Sequence, residues 1–217
     1  MLNKILTPRK QRENELRSLH RLPPGQSLTE KFPVLHYGAV PQTDLATWNF
    51  RVFGEVVEPK VWNWEAFNQL PRTQLTLDLH CVTRWSKFDT LWEGVSVKTL
   101  VEAGMIQPKA TAKYVIQHCE QGYTTNTPLD LALSDNMLMA THYDGKPLDP
   151  DHGWPLRMVI GVNTAQRDGQ TAYLWKGGKW LRGLEFSATD KPGFWERNGY
   201  HNQADPWREE RYGALGW

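Results

Sequence analysis

The chain has 217 residues, with 25 Lys and Arg against 24 Asp and Glu, a formal net charge of +1, 11 tryptophans and two cysteines. Nearly balanced charge without acidic or basic blocks argues against a nucleic-acid partner held by bulk electrostatics, and no run approaches the roughly 20 apolar residues of a membrane-crossing helix. Cys81 and Cys119 make no disulfide framework, and the polar opening MLNKILTPRKQRENELRSLHRLPPGQ has no apolar h-region, so a cytoplasmic protein is the expectation.

Residues 1–30 read as a charged N-terminal arm, with a helix over Pro8–Leu22 ended by Pro23-Pro24-Gly25; a single domain over 31–217 follows. Trp48–Val57 alternates as a strand closed before Pro59, and Asn63 caps a short helix to Leu70. A strand enters Cys81, Ser96 caps the helix VKTLVEA, and Gly104 stands where a C-terminal glycine belongs. Ala112–His118, Met137–Thr141, Arg157–Ile160 and Trp180–Phe186 read as strands, with a short helix over Leu129–Leu133 and a turn at Asp144-Gly145. Strands and short helices mix without regular alternation, which gives α+β as the class. The tryptophan-rich tail from Pro192 wraps the domain.

The stretch Leu75–Gly94, LTLDLHCVTRWSKFDTLWEG, carries the most chemistry. Leu75, Leu77 and Leu79 share a parity that Cys81 continues, so Cys81 ends an inward row while Asp78 and His80 face the other side. A thiolate at a strand end, beside the cation of Arg84 and the ring of Trp85, can anchor a soft metal. From the residues alone Cys81 is equally a small buried hydrophobe, or a nucleophile with His80 or His118 as base, although parity turns His80 away. Lys176-Gly177-Gly178-Lys179 reads either as a solvated turn or as an anion loop offering charge and free backbone N–H groups. Arg157, among the apolar residues of PLRMVIG, either faces solvent or awaits a carboxylate or phosphate for its fork. His152 follows Asp149-Pro150-Asp151 in a loop, and Tyr123 is either a pocket donor or a core aromatic. No CxxC pair, HExxH, GxSxG or Walker-type loop supports a zinc peptidase, serine hydrolase or NTPase.

HCVTRWS with its downstream WEG resembles the metal-ligating segment of the sulfite oxidase family, in the group that includes the methionine sulfoxide reductase catalytic subunit. GYTTNTPL, HGWPLRMVI and KGGKWLRGLEF resemble that family's later blocks in the same order, and FWERNGYHNQADPW is similar to the ending of a compact, cytosolic-type branch. The likeness runs from about Phe32 to the C-terminus. It implies a sulfite oxidase-type molybdopterin-binding fold of mixed sheets and short helices. Cys81 would be the single protein ligand of molybdenum, completed by dithiolene sulfurs of a nucleotide-free molybdopterin and by oxo or hydroxo groups. His36, His118, His152, Arg157, Gly177, Gly178 and Lys179 would contact the cofactor, and Arg84 and Tyr123 would stand at the substrate side.

The implied activity is two-electron oxo transfer on a small sulfur- or nitrogen-centred substrate, sulfite-like or sulfoxide-like, with a separate electron-transfer partner. A molybdopterin-storage protein without turnover, and a structural domain with Cys81 merely buried, are the alternatives. Arg84 departs from the sulfoxide reductases. Residues 161–174 are longer than the family's link, and they read as a hairpin turning at Arg167-Asp168-Gly169 beside the phosphate loop.

Overall fold

The computed structural model describes residues 6–167 and 169–213. Asp168, at the centre of the expected Arg167–Gly169 turn, lies outside the described residues, as do the first five residues of the arm and the last four of the tail. Strands dominate: β1 (Ser27–Leu28), β2 (Asn49–Gly54), β3 (Lys60–Asn63), β4 (Thr73–His80), β5 (Trp85–Val95), β6 (Tyr114–Cys119), β7 (Thr124–Pro128), β8 (Met137–Tyr143), β9 (Lys146–Pro147), β10 (Arg157–Ile160), β11 (Val162–Asn163) and β12 (Leu181–Ser187). The helices are short: α1 (Pro8–Ser18), α2 (Trp64–Asn68), α3 (Val97–Glu102), α4 (Leu129–Ala132) and α5 (Phe194–Arg197). Thr7, Asn63 and Ser96 each accept a backbone N–H from the first turn of α1, α2 and α3, which is why those helices start where they do.

One sheet runs β10-β8-β5-β4-β11, with β1 on β5 and β9 on β8; the other runs β3-β2-β12-β6-β7. Most pairings are antiparallel, while β1–β5 and β2–β12 are parallel, so the class is α+β with mixed sheets. The main apolar core draws Phe50, Val52 and Leu184 from the second sheet and Val95, Met139 and Met158 from the first.

The charged arm is built into the first sheet. Leu16 and Leu22 are buried, and β1 pairs with Trp85 and Ser86 at the start of β5. Arg21 donates a fork to Asp78 at 2.8 and 2.6 Å and reaches Asp89 at 2.5 Å. Asp78 and His80 do face away from the leucine row, but this arm covers them and both are buried. The insertion is not a self-paired hairpin: β11 pairs with Leu77 and Asp78 of β4 and extends the first sheet. Asn136 fastens it, its Oδ1 accepting from the Asn163 N–H at 2.7 Å.

Candidate active site

A pocket of about 310 Å³ opens between the Phe32–Gly38 loop, the turn after β4, the His152–Arg157 segment, the Leu174–Trp180 segment and the tail at Trp195 and Tyr200. It gathers His36, Cys81, Tyr123, His152, Arg157, Gly177, Gly178 and Lys179. Residues more than 140 positions apart in the chain thus meet in one cavity.

Cys81 ends the buried row of β4, one residue past the strand, and is 8 % exposed. Its N–H donates to the Trp85 carbonyl at 2.8 Å, and its own carbonyl accepts from the Arg84 N–H at 3.0 Å, closing a tight turn. Burial pushes the thiol up, partly offset by hydrogen bonding from Thr83 and by the charge of Arg211. A metal arriving here would therefore displace a proton. Among the described residues no group of three His, Cys, Asp or Glu side chains converges to hold an ion, so the protein offers a metal in this pocket one thiolate.

At the far side of the pocket the chemistry is cationic. Arg157 is 2 % exposed, donates to the carbonyls of Met158 and His152 at 3.3 and 3.0 Å, and lies over the rings of Phe32 and Trp92. Burial lowers its pKa to about 10. Lys179 is held by the Asp151 carbonyl at 2.6 Å, and burial together with the neighbouring Arg157 charge lowers it to about 7. Gly153 makes this pairing of cations possible. It sits at φ 111°, and a Cβ there would meet the Cβ atoms of Arg157 at 2.9 Å and Lys179 at 3.2 Å. A buried and a half-buried cation side by side, hydrogen-bonded to backbone carbonyls and only partly balanced by the nearby Asp149 and Asp151 carboxylates, make a site for an anion.

His152 stacks on Phe32 at 4.3 Å, with Nδ1 facing the Asp149 carboxylate at 2.9 Å. Burial works to raise that carboxyl, but the His152 ring and backbone hydrogen bonds outweigh it and hold it low. His36 turns its Nδ1 to the Gly38 carbonyl at 3.0 Å and its ring edge to Trp180 at 5.3 Å.

Some expected roles change. Arg84, at φ 72°, leaves the turn on the outside; it is exposed and lines a separate groove with Pro8, Arg12 and Lys31. The cation that acts on the Cys81 thiol is Arg211 instead. His118 is also outside the pocket, with Nε2 3.1 Å from the Glu185 carboxylate and its ring against Phe53. Tyr123 lines the pocket by its ring, while its hydroxyl donates to the Trp175 carbonyl at 3.1 Å.

In the KGGK segment Gly177, Gly178 and Lys179 line the pocket, but only Lys179 brings a charge to it. Lys176 is 1 % exposed and donates to Glu196 at 2.6 Å, Asn126 at 2.5 Å and the Asn202 carbonyl at 2.8 Å. The glycine N–H groups are also spent inside, Gly177 on the Leu174 carbonyl and Gly178 on Gln117 Oε1. Glycine is needed for packing against the protein: a Cβ on Gly178 would lie 2.4 Å from Cys119 Sγ, and one on Gly177 2.5 Å from the Met158 carbonyl.

Sequence reading missed Phe32, Trp195 and Tyr200 as pocket residues. Only the excess of tryptophan hinted at an aromatic wall.

One soft ligand at one end, a cation pair at the other and aromatic walls between them suit a flat, anionic, metal-bearing cofactor. Molybdopterin with molybdenum fits that donor set. Residues 37–195 match the family described as oxidoreductase molybdopterin binding domain. The chain belongs to that family and is a molybdopterin-dependent oxidoreductase. It is 44 % identical over 88 % of its length to "Uncharacterized oxidoreductase YuiH" of Bacillus subtilis, spanning 92 % of that protein. It is 26 % identical over 82 % of its length to "Putative protein-methionine-sulfoxide reductase subunit YedZ1" of Azospira oryzae, of which it spans 64 %. In fold it matches the sulfane dehydrogenase SoxCD of Paracoccus pantotrophus, with a TM-score of 0.61 at 15 % identity over 92 % of this chain and 52 % of that one. Among the described residues no helix is long and apolar enough to cross a membrane.

Proposed function

We propose that this protein carries out two-electron oxo transfer on a small sulfur- or nitrogen-centred substrate, using a molybdenum cofactor ligated by Cys81. The observation that carries the reading is the pairing, in one cavity, of a single buried thiol with the adjacent cations Arg157 and Lys179. When bound, the cofactor supplies the exchange of an oxygen atom. Cys81 would hold the metal as a thiolate, Arg157 and Lys179 would balance the cofactor's negative charge, and His36 and His152 would border it. The rings of Trp85, Trp175, Trp195 and Tyr200 keep water from the Cys81 side.

At about 310 Å³ the cavity is at the small end of the roughly 300–1,000 Å³ usual for ligand sites, which supports a cofactor without a nucleotide extension. Arg84 lies outside the pocket, so its difference from the sulfoxide reductases does not bear on substrate choice. Without that cation the aromatic side favours a neutral sulfoxide-like substrate over sulfite. Reduction of a sulfoxide to a thioether takes two electrons and two protons and releases water. The electrons come from a separate partner, in keeping with a relative whose name makes it a reductase subunit. Both cysteines are free, which supports a cytoplasmic location.

Protein purified from a host that makes the cofactor should contain close to one molybdenum and one pterin per chain. With a reduced dye as donor it should reduce an alkyl sulfoxide faster than it oxidises sulfite with an acceptor dye. Absence of both metal and pterin would sink the reading. Full loading without turnover on either substrate would favour the storage protein.

A further inference from the structure

Behind the pocket, the Cys81 turn is held by two buried side chains from distant parts of the chain. Gln26, 1 % exposed, donates Nε2 to the Cys81 carbonyl at 3.1 Å, and its Oε1 accepts from Ser86 Oγ at 3.3 Å. The single Ser86 hydroxyl proton is thereby used. The 2.8 Å contact between Ser86 Oγ and His80 Nδ1 is then an Nδ1–H donation, and the buried Nε2 has no hydrogen-bond partner. Burial, with the charge of Arg21, lowers the His80 pKa to about 3, in keeping with that tautomer chain.

Arg211 comes from the other side. It is 7 % exposed, donates Nη1 to the Val82 carbonyl, and lies 5.4 Å from the centre of the Tyr173 ring. Its Nη2 is buried without a hydrogen-bond partner. Its own backbone is fixed in the tail: the N–H donates to the Glu209 carbonyl at 2.8 Å and the carbonyl accepts from His201 at 3.2 Å. The turn between these clamps ends in Arg84 at φ 72°, a conformation that costs energy for a residue with a Cβ and persists only where its surroundings enforce it.

We propose that Gln26 and Arg211 are positioning residues for the bond between Cys81 and the metal, Gln26 by fixing the Cys81 carbonyl and Arg211 by fixing the Val82 carbonyl and placing a permanent buried charge beside the ligand. This rests on Cys81 being the metal ligand. An arginine remains cationic at any working pH, and at low dielectric its field favours the more negative, reduced state of a nearby metal. Neither side chain lines the pocket, so neither meets substrate.

The test uses loaded enzyme carrying Arg211→Gln, Arg211→Lys or Gln26→Leu, with three readouts: molybdenum content, the midpoint potential of the metal, and the thiolate-to-metal absorption band. Arg211→Gln should retain molybdenum, move the potential to more negative values and shift the band. Arg211→Lys, which keeps the charge and loses the fork, should return the potential toward wild type while the band stays shifted. Gln26→Leu should shift the band and move the potential less than Arg211→Gln does. Should Arg211→Gln not fold, Arg211→Met, also neutral, carries the same comparison with Arg211→Lys. Variants with lowered melting temperature but unchanged potential and band would make both side chains merely structural and overturn the proposal. Equal potentials for the Gln and Lys variants would overturn the charge effect. Wild-type protein lacking molybdenum would instead overturn the reading of Cys81 itself.

Discussion

The two ends of the pocket are finished to different degrees. At the Cys81 end the polar groups of the turn are engaged: the Cys81 N–H and carbonyl, the Val82 carbonyl and the thiol all have partners within the chain. At the opposite end Arg157 and Lys179 stand together on backbone carbonyls, with Asp149 and Asp151 near but, among the described residues, no carboxylate in ion-pair contact. The metal end is preorganised, and the anion end waits for its ligand to complete it. Folding pays at the second end for what binding will recover, because a buried cation such as Arg157 without an ion-pair partner is tolerated only against a later gain.

Mutation can break this contrast. Cys81→Ser should remove nearly all bound molybdenum while circular dichroism stays that of the wild type; retained metal would move the ligand elsewhere. Lys176→Met sharpens the difference between the two lysines of one motif. It strands Glu196 in the core, whose side chain is 2 % exposed, and should cost about 3–5 kcal/mol in chemical denaturation. Arg157→Met should lower cofactor retention by roughly 10–100-fold. In cofactor-free protein the same change should be neutral or stabilising by about 1 kcal/mol, an opposition that a simple core mutation would not produce. Gly178→Ala, which drives a Cβ toward Cys119, should cost about 1–3 kcal/mol in melting experiments. Cys119→Ala should recover part of that loss in the double mutant, because the two sites share the clash.

The smallest effect concerns pH. Lys179 is depressed from 10.5 to about 7 in the folded chain, so between those values the unfolded chain holds a proton that the folded one lacks. That group's contribution to the stability of the cofactor-free protein therefore rises with pH across the window. Affinity for an anion runs the other way, falling as pH climbs through about 7. Phosphate affinity measured by calorimetry from pH 6 to 9 should fall a few-fold, and Lys179→Met should flatten the curve.

What the sequence reveals depends on how local the cause is. The caps Asn63 and Ser96 and the strand into Cys81 were legible, because each follows from spacing within a few residues. The longest strand, β5, was not: its buried row reads Ser86, Thr90, Trp92 and Gly94, too polar to show a period of two. β7 hid for the same reason, its buried Thr125 and Asn126 being satisfied by Glu196 from the tail. Most of the residues expected from the ordered motifs line the pocket, but the direction of individual side chains did not follow from them. Arg84 turns outward on a left-handed backbone, and Lys176 turns inward to a carboxylate twenty residues away. Neither orientation is encoded in the residue's neighbours.

The parallel pairing of β2 with β12 joins Arg51 to Gly183, and Gln26 must reach across to Cys81 before the turn is set. Contacts of such separation close loops of great length before any reward arrives, which puts the chain among slow folders. The thiol is therefore synthesised long before the walls around it exist. For a cell making this protein, an early, open interval exposes Cys81 to oxidants and stray metals, and the rate of sheet closure sets how long that interval lasts.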